Sequence, residues 1–97
     1  MIAAILAAAA LAGADGPAPG AARRLPHDVR AFVARRIECN HWGGEDPYDA
    51  ERARQIRAAV ERLRCGDLDR DEARLRRRHA ASPTVLEALV RARDEVW

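Results

Sequence analysis

Residues 39–49 read CNHWGGEDPYD. A cysteine, a histidine, a tryptophan, two glycines, three acids and a tyrosine meet here, in a chain otherwise dominated by Ala, Arg and Leu. The stretch is either a joint between two helices or a binding site, and the fold turns on which. Gly43–Gly44 oppose a helix arriving from upstream. In the DPYD that follows, Asp46 can cap a new helix and Pro47 suits its first position. Asp49 then adds negative charge to the first turn.

Working outward, Val29, Phe32, Val33 and Ile37 recur at helical spacing and predict a helix over 28–39, interrupted by Asn40. Downstream, Ala53, Ile56, Val60 and Leu63 keep one face apolar over 47–65, and Gly66 follows as a C-terminal stop. Asp69 with Glu72 reads as a capping box for a third helix, whose apolar face holds only Ala73 and Leu75. Ser82 and Pro83 open a fourth helix striped by Val85, Leu86, Leu89 and Val90. No alternating run or β-branched cluster signals a strand. The expected fold is all-α, a compact bundle of about four short helices.

Cys39 and Cys65 are the only cysteines. The N-terminus suggests an oxidising compartment, where an even count favours a disulfide. The chain-entropy relation assigns a loop of this size about 3.5 kcal/mol, a large share of the stability of a domain of about 70 residues. The bond restricts the path. A second helix over 47–65 would be about 27 Å long, and a disulfide needs Cα atoms within about 7 Å. Residues 40–46, NHWGGED, are therefore expected to run back along it as an extended strap. A steeper crossing or a shorter second helix relaxes that demand. The competing reading is a metal or cofactor site using Cys39, His41 and Cys65, with His79 as a further ligand. It lacks a C-x-x-C or H-x-x-x-H pair, and no cofactor is expected.

Residues 1–14 begin with an apolar run whose length suits a signal peptide and is too short for a membrane span. Small residues at Ala10, Ala12 and Ala14 fit a cleavage site, although no basic residue precedes the run. Residues 15–26, rich in Ala, Gly and Pro, read as a flexible linker to a helical domain over 27–97. The expected location is periplasmic or secreted, with no membrane span once the leader is removed.

All 17 basic residues are arginine, set against 15 acids. That near balance argues against a nucleic-acid binder. The basic cluster RLRRRH, residues 74–79, follows Asp69, Asp71 and Glu72, as the helix dipole favours, and reads as a solvated face. Catalytic constellations are missing: Ser82 is the only serine and is better used as a cap, and no phosphate-binding or metalloprotease motif occurs. Glu45–Asp46 suits loop solvation and capping better than acid–base work. Non-enzymatic binding is the expected class, with His41, Trp42, Glu45 and Tyr48 as candidate contacts. Trp42 is either an exposed ring or a lid on a small core.

The pattern Cys39-Asn40-His41-Trp42-x-Gly44-Glu45, then DPYDAER and a second cysteine after the next helix, resembles a group of small, uncharacterised exported proteins of Gram-negative bacteria. The similarity spans about Val29 to Leu89, including DEARLRRRHAASPTVLEAL. It implies export, helices and the cysteine pair, and brings no activity. The partner it leaves open is an envelope protein or a cell-wall component.

Overall fold

A computed structural model describes residues 24–96. The leader expected over 1–14, most of the linker expected over 15–26, and Trp97 lie outside them. Four α-helices are present among the described residues, with no strand. They are α1 (His27–Gly43), α2 (Ala50–Arg62), α3 (Leu68–Arg78) and α4 (Pro83–Ala92), with a short 3-10 turn (Cys65–Asp67) between α2 and α3. The all-α bundle and its Cys39–Cys65 disulfide are as expected, with Cα atoms 5.7 Å apart.

Helix α1 is the centre of the bundle, packing against α2, α3 and α4. Val29 and Phe32 from α1 meet Leu68 and Leu75 from α3 and Val85 and Leu89 from α4, with Cys39 at the far end. Leu25, ahead of α1, packs against this core, as do Val33, Leu63 and Cys65. Helix α2 is peripheral: it packs on α1 and on the 3-10 turn, and Ala59 is its only buried residue.

The expected strap does not form. Residues 40–43 are helical, and α1 runs past Cys39 to Gly43. Asn40 was expected to interrupt because its side chain competes locally for backbone groups. Here its amide points away, donating to the carbonyls of Ala92 at 2.9 Å, Arg93 at 3.0 Å and Glu95 at 2.8 Å. Those carbonyls lie at and just beyond the end of α4, where the regular helical donors run out. Asn40 thus caps a different helix and leaves its own intact. A glycine in a helix costs only about 1 kcal/mol, so Gly43 closes α1 and the Gly44 N–H caps it, donating to Asn40 and His41 carbonyls.

The start of α2 also lies later than expected. Asp49, not Asp46, is the N-cap, accepting from the Arg52 N–H at 2.7 Å. Both aspartates have the right chemistry; the second lies in extended backbone beside a free helix start. Helix α2 ends at Arg62, which shortens it to about 20 Å and removes the need for a strap. Nor does Gly66 make the turn. Arg64 does, in the left-handed region at φ 52°, a conformation that is uncommon outside Gly, Asn and Asp. Arg35 holds it there, its Nε donating to the Leu63 carbonyl at 2.6 Å and Nη2 to the Arg64 carbonyl at 3.0 Å. The disulfide at the next residue fixes the same corner.

The capping box at Asp69–Glu72 is absent: α3 starts at Leu68, and Glu72 faces inward. The start of α4 is as read from the sequence. Ser82 accepts from the Val85 N–H at 3.2 Å, and Pro83 opens the helix.

Candidate functional site

The corner where α1 gives way to the 44–49 loop gathers three of the four candidate contacts. His41 and Glu45 are one helical turn apart, and His41 Nε2 lies 3.0 Å from Glu45 Oε1. Arg52, in the first turn of α2, reaches back to Glu45 Oε2 at 3.5 Å. Its guanidinium also sits 5.2 Å from the centroid of the Trp42 ring, within cation–π range. The His41 and Trp42 rings meet edge-on at 5.4 Å. These four residues form a clasp that fastens the start of α2 to the end of α1. Tyr48 takes no part in it: the ring stands on the loop, 72% exposed.

Trp42 has a second neighbourhood. Ala34, Ile37, Glu38 and Trp42 lie at helical spacing along one face of α1, and with Arg62 of α2 they line an open groove of about 540 Å³. Small-molecule and peptide clefts start at about 300 Å³. The indole is half-buried, and it serves as a wall of the groove while α2 supplies the opposite side. The two readings of Trp42, lid or exposed ring, merge: it partly covers the helix pair and still lines a surface that a partner can reach. Ile37, part of the apolar stripe that predicts the helix, also opens onto the groove. The groove depends on which helix face α2 covers, which periodicity alone does not specify.

The cysteines and the serine of the chain are otherwise engaged. The one serine is engaged as a cap. The two sulfurs are bonded to each other, which removes both from the ligand set Cys39, His41 and Cys65. Among the described residues, no group of three His, Cys, Asp or Glu side chains is placed to hold a metal ion.

A second polar cluster escaped sequence reasoning. Asp71 and Glu72, adjacent on α3, are both buried. Asp71 receives Arg35 Nη2 at 2.9 Å and Arg74 Nη2 at 3.2 Å. Glu72 receives Arg36 Nη2 at 3.2 Å, Arg76 Nε at 3.0 Å and Arg93 Nε at 3.1 Å, and Arg93 Nη2 also contacts it. Burial acts to raise the Asp71 pKa, but the Arg35 hydrogen bond and the surrounding guanidinium charges hold it below its ordinary value. For Glu72 the Arg93 hydrogen bond is the largest influence and, with Arg76 and Arg36, lowers the pKa from 4.5 to about 2. A third pair ties α1 to the end of α3, with Asp28 Oδ2 3.1 Å from His79 Nε2. That hydrogen bond lowers the Asp28 pKa.

These groups support the fold rather than a ligand, because each buried carboxylate is enclosed by arginines of its own chain. The basic run 74–79 is accordingly divided: Arg77 is exposed with no carboxylate partner among the described residues, whereas Arg74, Arg76, Arg78 and His79 turn to carboxylates of the bundle. The available signal was the apolar deficit of α3: a helix with so little apolar surface must bury something else on its inward side.

No protein-family model matches this chain, and neither a curated protein nor a solved structure matches it.

Proposed function

We propose that this chain is an exported, periplasmic or secreted helical module. It binds an envelope protein or a cell-wall component, without catalysis, through the Trp42 groove and the adjoining loop. The observation that carries this reading is the groove itself. Trp42 and Ile37 provide apolar walls, Glu38 and Arg62 provide opposite charges, and the exposed Tyr48 stands on the loop beyond Trp42. Aromatic side chains with an apolar body and a polar tip are the commonest binding anchors. The apolar opening of the chain and the disulfide support export, since such bonds persist in oxidising compartments.

The test is retention of an envelope component by immobilised protein. Wild type is expected to hold a component that Glu38→Arg and Tyr48→Ala both release, with the helical circular dichroism of each variant unchanged. Trp42→Ala serves as a third arm, read only if its helical signal survives. If wild type retains nothing, or if Glu38→Arg and Tyr48→Ala retain as much as wild type, the groove is not a binding surface.

A further inference from the structure

Helix α4 carries two apolar faces. Val85, Leu89 and Ala92 enter the core. Pro83, Leu86 and Val90 lie on the other side and, with Glu87 and Arg91, border a shallow surface depression. Val90 is 48% exposed. At 100° per residue, Leu86 and Val90 are neighbours, while Glu87 and Arg91 share one flank about 6 Å apart along the axis. Among the described residues, neither Glu87 nor Arg91 has an ion-pair partner within the chain.

We propose that this face pairs with the same face of a second copy, the two α4 helices antiparallel about a two-fold axis at the level of Leu89. Such an axis, perpendicular to both helices, reverses direction but keeps each flank opposite the same flank of the other copy. Glu87 of each copy then meets Arg91 of the other, giving two ion pairs. Val90 packs between the partner's Leu86 and the partner's Val90. A parallel pair, whose two-fold axis runs along the helices, would carry this flank to the opposite side of the other copy and form neither ion pair. The charge pattern therefore selects the antiparallel arrangement.

With three apolar side chains per copy, the interface is below the roughly 800 Å² per partner of a stable complex. The dimer is weak, with a dissociation constant on the order of 100 µM.

Sedimentation equilibrium of the full chain, from about 20 µM to about 1 mM, is expected to show a monomer–dimer equilibrium. Glu87→Arg and Arg91→Glu should each weaken it at least about tenfold, because each creates two like-charge contacts. Mixing the two single variants restores association, since every facing pair is then opposite in sign. The double variant Glu87→Arg/Arg91→Glu self-associates as wild type does. These positions are exposed, so circular dichroism stays constant throughout. A monomer at the highest concentration overturns the proposal. So does a dimer indifferent to both single variants, or a mixture that fails to recover. If wild type stays monomeric because residues 1–23 of its own chain cover α4, the pairing proposal fails by that outcome as well.

Discussion

Glu72 shows how one side chain can hold three elements. It lies on α3, and its carboxylate receives Arg36 from α1, Arg76 from its own helix and Arg93 from the end of α4. Its folded pKa of about 2 lies below its ordinary value of 4.5, which sets the sign of its pH dependence. The stabilisation is complete above the unfolded pKa and is lost as pH falls through the folded one. Wild-type stability should therefore decline between about pH 4.5 and pH 2, and urea midpoints across that range would show it. Glu72→Gln should be less stable at pH 7 by about 1–3 kcal/mol and show a flatter acid limb. An acid limb unchanged in the variant would assign the acid sensitivity to other groups, of which Asp71 and Asp28, also lowered, are the nearest. None of this was legible in DEARLRRRH, since a carboxylate among arginines reads as solvated unless its partners on other helices are known.

The elements differ in how they are held. α1, α3 and α4 share the core, whereas α2 contributes only Ala59 to the buried residues. Its attachment is otherwise the Arg52 clasp at one end and the Arg35 contacts and the disulfide at the other. Reduction should therefore loosen α2 first. By the chain-entropy relation the loop closed by the bond is worth about 3.5 kcal/mol. In hydrogen exchange of the reduced protein, amides of 50–62 should lose protection while those of α3 and α4 keep most of theirs. Uniform loss across all four helices would mean that the disulfide supports the bundle as one cooperative unit. The helices themselves were largely legible in the sequence, because periodicity and caps are local signals. The α1–α2 joint was not. Asn40 acts on a helix more than 50 residues away, and Asp46 and Asp49 offer the same capping chemistry three residues apart. Only the tertiary partners decide which of these residues a helix uses.

At the scale of the whole molecule, a bundle this small is stabilised by one disulfide, a compact apolar core and a buried arginine–carboxylate network. Export, rather than the fold, is the part of the functional reading that intact mass can test directly. The mature chain purified from its native envelope fraction should lack the leader mass, with cleavage near Ala14, and should gain about 2 Da on reduction. A retained N-terminus or a mass unchanged by reductant would remove the basis for a periplasmic or secreted location. The candidate contacts were partly legible: His41, Trp42 and Glu45 do come together, and Tyr48 stands apart. The attachment of Trp42 and Glu45 to Arg52 required the position of α2, which the strap arithmetic misplaces by assuming too long a helix.

Asn40 grips carbonyls near the C-terminal end of the described residues, so that end leaves the bundle at the same end of α1 as Trp42 but from the opposite face, since two residues turn about 200° around a helix. The other end enters at Pro26, at the far tip of α1, about 25 Å away. The central helix is thus a spacer as well as a scaffold. A tether at the N-terminal side joins the bundle at the end of α1 far from the Trp42 groove, whereas a label or fusion at the C-terminal side leaves from the face of α1 that turns away from that groove.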